Sequence, residues 1–348
     1  MIALLLACAH AALVPVAPQA RVDPLADLAP HEGAQTEWWH VHADLVDGAT
    51  GEPVHVFAAF LAERTGDDHA GPLPVQPFVD PLWLAWVKVQ TPTHTWVADR
   101  ASFPDLFAAG AAREGLALHH GDWHLAWEHG ALVLQVSAGP ERLDLRLVPT
   151  RPPTLPGEGG NLVLRPGGGR SMWEQWEEMA VEGRWERHGK AGWLQGSGFF
   201  KHQWGRLYDP RVDGFTWVSL DLPDGRSLSV AWLQEEGTGG SPGSRAWWSD
   251  GTPIAGEDLH LEVTRTWRSH RSATTWPVAW HLQAPGVDFM LQALHDNQEI
   301  WAFPAALHVG PAHAVGQVAG LAVDQLAFVE QTGARPTPLR VFLRSDAP

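Results

Sequence analysis

Thr36-Glu37-Trp38-Trp39-His40-Val41-His42-Ala43-Asp44-Leu45 is the stretch on which the reading of this chain turns. Taken as a strand it alternates faces, so Glu37, Trp39, Val41, Ala43 and Leu45 share one side. It runs into Asp47-Gly48, a hairpin signal, and an apolar segment follows. The same period of two spreads outward. Trp123, Leu125 and Trp127 alternate with His124, Ala126 and Glu128, and Leu132, Leu134, Val136 and Leu143, Leu145, Leu147 continue it. Long helical periodicity is nearly absent. The pattern predicts a mainly β chain of half-buried antiparallel strands joined by Gly/Pro/Asp turns, with little helix. Phe103 to Glu114 can be read as one short helix. Ser171 to Glu182, with Trp173, Trp176 and Met179 three apart, fits either helix or strand.

Loops are expected at Glu63 to Pro74, Arg151 to Gly160, Arg165 to Gly169 and Glu235 to Ser244. An internal echo sets the domain organisation. Asp44-Leu45-Val46-Asp47-Gly48 matches Asp221-Leu222-Pro223-Asp224-Gly225, and each follows a Trp-bearing strand, with Trp39 in one and Trp217 in the other. If each half opens with the same hairpin, residues 21–206 and 207–348 form two tandem antiparallel β-barrel or sandwich domains.

The chain has 348 residues and a formal charge of −16, which argues against nucleic acid or an anionic membrane surface as partner. Trp 20 against Tyr 1 suits thick cores or the wall of a cavity for an apolar ligand. The single cysteine, Cys8, excludes an internal disulfide. Leu5-Leu6-Ala7-Cys8 within the uncharged run Met1 to Ala17 resembles the lipobox of bacterial lipoproteins. Residues 1–20 are therefore read as an export signal with Cys8 as lipidation site, placing the protein in the periplasm or cell envelope.

Glu37 in an apolar row is costly unless paired, bonded or protonated, and such an acid suits proton chemistry inside an apolar pocket; the bland alternative is a structural Glu on backbone amides. In Gly198-Phe199-Phe200-Lys201-His202-Gln203-Trp204-Gly205, strand alternation places Phe200, His202 and Trp204 together. A His between two aromatics is expected to be shielded and neutral, as a base or donor, or else a satisfied core histidine. Gln203 points the other way. His40 and His42 share a face, but a zinc site needs at least one more ligand that the sequence does not nominate, so no metal is expected. Gly239-Gly240-Ser241-Pro242-Gly243 matches G-x-S-x-G without the following helix that a nucleophile elbow needs, and Gly167-Gly168-Gly169 lacks a phosphate-loop pattern.

Together these residues resemble the carotenoid hydratase/AttH-like family, often labelled predicted secreted hydrolases. The resemblance rests on Glu37-Trp38-Trp39-His40, on Gly196 through Lys201-His202-Gln203-Trp204-Gly205, on Gln298-Glu299, and on Phe328-Val329-Glu330-Gln331-Thr332-Gly333. It implies two lipocalin-like domains, and Glu299 and Glu330 join Trp39, Trp204 and Phe200 as ligand-binding candidates. The departures bear on function. Lys201 stands where the family has an acid, Arg226 to Leu233 lacks the Tyr and Asp of the carotenoid hydratases, and the family's Tyr-Tyr reads Trp173-Glu174. Carotenoid hydration itself is therefore not expected.

Two functions compete. In one, an apolar small molecule in a barrel or interdomain pocket is hydrated, isomerised, cyclised or hydrolysed, with Glu37 or His202 moving the proton, Trp39 and Trp204 facing a developing carbocation, and no cofactor. In the other, the chain is a non-catalytic carrier, membrane-associated through Cys8 and serving a membrane transport system. A weaker third reading makes the Trp pairs 38–39 and 247–248 walls of a cage for a quaternary ammonium group.

Overall fold

The computed structural model describes residues 14–64, 69–70, 73–74, 81–102, 109–112, 114–163, 169–205, 212–235, 244–302 and 305–332. Strands Thr36–Asp47 and Pro53–Glu63 form the predicted hairpin in full register, Trp39 opposite Phe60. On its other side Thr36–Asp47 pairs with Lys190–Gly205, the last strand of a 12-stranded antiparallel sheet. A 10-stranded sheet repeats this winding. Its first strand, Val212–Asp221, pairs with Ser227–Glu235 and with its last strand, Leu321–Thr332. The sequence echo thus occupies corresponding turns of the two sheets. The result is almost entirely β, with two curled, near-closed antiparallel sheets in tandem.

Closure of the first sheet is visible at its edges. Ser102 Oγ lies 3.0 Å from His120 Nε2, and Arg100 donates to the His120 carbonyl and to the Asp122 carboxylate. Curling wraps the sheet around a core that includes Trp39, Val41, Trp83, Trp123, Trp176 and Phe200. A second core, with Val218, Trp280 and Phe289, fills the other sheet.

A third core lies between the sheets. Trp38, Phe57, Trp86, Trp173 and Phe199 from the first meet Trp217, Trp247, Leu307 and Phe328 from the second. From Thr36 to Ala43 the opening strand is therefore buried on both faces rather than half-buried, odd positions entering the barrel and even ones the intersheet layer, and only towards its end does the even face reach solvent at Val46. Each buried indole removes about 150–250 Å² from water, on the order of 4–6 kcal/mol of transfer free energy. The adjacent pair Trp38 and Trp39 is split between two cores by strand alternation, so each supplies a wall to a different interior.

Ser171 to Glu182 is strand, within Arg170–Arg187. Its three-residue spacing is a β-bulge: Trp176 opposes Phe200 and Met179 opposes Gly198, with Glu178 at φ 50°, so both apolar side chains reach the barrel core. The short helix expected over Phe103 to Glu114 is not formed at Ala109–Ala111, which pairs as a strand with Ala117–His120; residues 103–108 and 113 lie outside the described residues. The expected loop from Arg151 to Gly160 holds no regular helix, for the backbone at Pro156–Gly159 leaves helical angles at Gly157, with φ 71°, and at Glu158, with ψ 79°.

The glycine spacing of the last strand has a steric cause. A Cβ on Gly196 would run into the Asp44 carbonyl oxygen, and one on Gly198 into that of His42. Backbone on both sides leaves nothing flexible to yield. Gly196→Ala and Gly198→Ala are each expected to destabilise the protein by about 1–3 kcal/mol, read from urea denaturation midpoints. Unchanged midpoints would show that the strand pair accommodates a side chain there.

Candidate functional site

Register, set by the opening hairpin and the last strand of the first sheet, assembles the site. Glu37 stands opposite Trp204 and Trp39 opposite His202, while Glu174 approaches His202 from the far side. His202 Nε2 lies 3.0 Å from Glu37 Oε1 and its Nδ1 lies 3.2 Å from Glu174 Oε1. The loop before the opening strand adds His31, whose Nδ1 is 2.7 Å from Glu37 Oε1 and whose amide donates to both Glu37 oxygens. Trp176 Nε1 donates to Glu174 Oε2 at 3.2 Å. A continuous chain His31–Glu37–His202–Glu174 results, fully buried except at His31, whose side chain is 27% exposed. Asp27, 3.7 Å from His31 Nε2, stands at the open end.

Aromatic faces wall this chain. His202 lies between Trp39, at 5.1 Å, and Trp204, at 4.5 Å; Trp204 in turn stacks on His31 at 4.2 Å with an interplanar angle of 6°. Phe200 shares the face deeper in the barrel core.

His202 is not the neutral imidazole that its aromatic neighbours suggested. Burial alone would push its pKa down, but hydrogen bonds and charge from Glu174 and Glu37 raise it above the ordinary value. Both ring nitrogens face carboxylate oxygens, and only an imidazolium can donate at both. Burial alone would raise Glu37, yet His202 and His31 hold it below the usual range. The chain therefore stores a proton on His202 between two acids.

Among the described residues, His31, Glu37 and His202 are a set whose ligand atoms lie within 4.8 Å of one another, as a divalent cation needs. Carboxylates near both outer ring nitrogens also resemble a metal site. Against that fit, ring and backbone N–H donors already occupy the Glu37 oxygens, so the set closes on itself through protons.

His40 and His42 face the opposite way. His40 Nδ1 lies 3.2 Å from Glu330 Oε2 without hydrogen-bond geometry, and burial, then Lys201 and His42, keep it neutral. His42 stacks on Phe328 at 3.9 Å and is pushed down to about 4 by burial.

The candidates proposed from sequence divide by location. Glu37, His202, Trp39, Trp204 and Phe200 share the barrel face. Glu330 lies in the intersheet layer, 3.3 Å from Lys201 Nζ. Glu299 belongs to a third cluster, accepting from Ser269 Oγ at 2.5 Å, from Trp276 Nε1 at 2.8 Å and from Ser272. Gln203 donates to Ser171 Oγ, pointing away from His202 as alternation requires. Lys201, one residue from His202, likewise points away, so its reversed charge acts on Glu330 in the other layer. Cys8, Gly239 to Gly243, and Gly167 and Gly168 lie outside the described residues.

Sequence reasoning missed two members. Glu174 carries a signal like that of Glu37, an acid alternating with apolar Met172 and Trp176 on one strand face. His31 carries none, because a loop residue has no period. An open depression of 540 Å³ lined by Asp258, His260, Gln283, Gly286, Asp288 and Gln317, among others, shares no residue with these clusters.

A family model described as AttH-like matches residues 15–334. A solved structure described as an AttH from Nitrosomonas europaea is similar at 23% identity and TM-score 0.81, covering 93% of this chain and 100% of its own. Kievitone hydratase from Nectria haematococca is similar at 16% identity and TM-score 0.70, covering 93% and 97%. CghA, in its structure with Sch210972, is similar at 12% identity and TM-score 0.53, covering 92% and 95%. At these identities the likeness shows the fold alone. No curated protein sequence matches the chain.

Proposed function

The chain belongs to the AttH-like family, and we propose that it binds an apolar small molecule and moves a proton on it through His31, Glu37 and His202. The observation that carries this reading is the unbroken hydrogen-bonded chain from partly exposed His31 to buried Glu174. Glu174 fixes the His202 ring, His202 holds the proton, Glu37 passes it, and His31 exchanges it with solvent or ligand. Protonation of an alkene carbon creates a cation, which the faces of Trp39 and Trp204 stabilise electrostatically. Water addition, double-bond migration and ring closure all begin with this step. The name of kievitone hydratase, whose fold this chain shares, is in keeping with such chemistry. Export, and anchoring through a lipid on Cys8, belong to the same proposal.

A carrier without chemistry is the second reading. The observation favouring it is that both buried carboxylates of the hydrogen-bonded array, Glu37 and Glu174, already have partners, as a structural lock would. Extraction of protein purified from its own cell envelope, followed by incubation of the recovered ligand with the protein in D₂O, separates the two. The proposal expects deuterium on a ligand carbon, with the rate falling by about 10²–10⁴ in His202→Ala. Ligand recovered unaltered and without deuterium would leave the carrier, working beside a membrane transport system.

A further inference from the structure

The chain contains three lysines among its 24 basic residues, the rest being arginine. Lys190 is exposed, whereas Lys88 and Lys201 are buried between the two sheets at 2% and 1% exposure. Arginine is the better residue for a buried ion pair, because its planar fork binds carboxylate with two hydrogen bonds and stays charged. A chain so rich in arginine that places lysine here has kept a group that can lose its proton.

The surroundings of the two amines differ. Lys88 Nζ donates to the carbonyls of Gln298 and Val309 at 3.1 and 2.8 Å. Lys201 Nζ lies 3.3 Å from Glu330 Oε2, with the faces of Trp217 and Trp173 at 4.0 and 4.9 Å. Around it are buried polar atoms without partners: the indole nitrogens of Trp173 and Trp217, both ring nitrogens of His40, and Gln175 Oε1. The indole N–H groups are donors, suited to an incoming oxygen.

We propose that Lys201 is a carbonyl-capturing amine, forming an imine with an apolar aldehyde in the layer between the sheets. Glu330 takes the ammonium proton, and the free amine attacks the carbonyl carbon, forming the C–N bond of a carbinolamine. Its hydroxyl leaves as water with the proton returned by Glu330, so aldehyde and amine become imine and water. A protonated imine keeps the positive charge against the Glu330 carboxylate and the indole faces. Burial supports the first transfer, since it brings the Lys201 ammonium down to about 8 and raises the Glu330 carboxyl.

The small number of lysines makes the test clean. Folded protein is treated with cinnamaldehyde and cyanoborohydride, which reduces an imine to a stable amine, and is then peptide-mapped. Labelling of Lys201 at least about tenfold faster than Lys190 is the expected result. The preference should vanish in urea, where all three lysines are equally open, and the Lys201 adduct should be lost in Lys201→Arg. Labelling of Lys190 with Lys201 unmodified in folded protein would overturn the proposal. Because the labelling is measured on folded wild type, misfolding of a variant does not change the result. Glu37→Gln should label normally, which separates this site from the proton chain in the barrel.

Discussion

Glu37→Ala is expected to lower the unfolding free energy by about 3–5 kcal/mol, because it removes one partner from a buried ion pair. His202 would retain Glu174 but lose its Nε2 acceptor at zero exposure, and the His31 ring and amide would lose theirs. Glu37→Gln keeps an oxygen acceptor and removes only charge, so its loss should be smaller.

The pH dependence of the difference between wild type and Glu37→Ala identifies the mechanism. The folded pKa of Glu37 is depressed from 4.5, so its contribution is present above that value and is lost as pH falls through the folded pKa. The folded pKa of His202 is raised from 6.5, so its contribution is full below that value and is lost as pH rises through the folded pKa. The stability advantage of the wild type should thus be widest in mildly acidic solution and shrink on both sides. Urea denaturation across pH measures it. A difference that does not vary with pH would mean that the pair is not ionised.

Glu330→Ala is the second large effect, again about 3–5 kcal/mol, for it leaves the Lys201 ammonium buried against two indoles with its carboxylate gone. Lys201→Met with Glu330→Leu should recover most of this loss or exceed the wild type, since an apolar pair escapes the desolvation cost of both charges. Recovery would show that the pair is retained for something other than stability, as the imine proposal requires. If the double variant is as weak as Glu330→Ala, the ion pair itself holds the sheets together.

Much of the barrel face could be read in the sequence. Alternation alone places Glu37 with Trp39 and His202 with Phe200 and Trp204, because a strand's period depends only on local backbone geometry. The same rule sends Gln203 and Lys201 to the other side. It gave no hint that Glu37 and His202, 165 residues apart, meet at 3.0 Å. That contact depends on the register of Thr36–Asp47 against Lys190–Gly205, which loops and both cores set together. The neutral His202 inferred from its aromatic neighbours was wrong for this reason: the decisive neighbours, Glu37 and Glu174, arrive from other strands.

By itself, then, the sequence determined the β class, the hairpin echo, which side chains share a face, and through its motifs the family. Each of these is local, or a pattern read along one dimension. Only the tertiary structure decided that both faces of the opening strand are buried from Thr36 to Ala43 and that His31 and Glu174 complete the proton chain. It also moved Glu330 to Lys201 and Glu299 to a serine cluster. Burial, charge pairing and pKa are sums over neighbours in space, and two curled sheets bring most of those neighbours from distant parts of the chain.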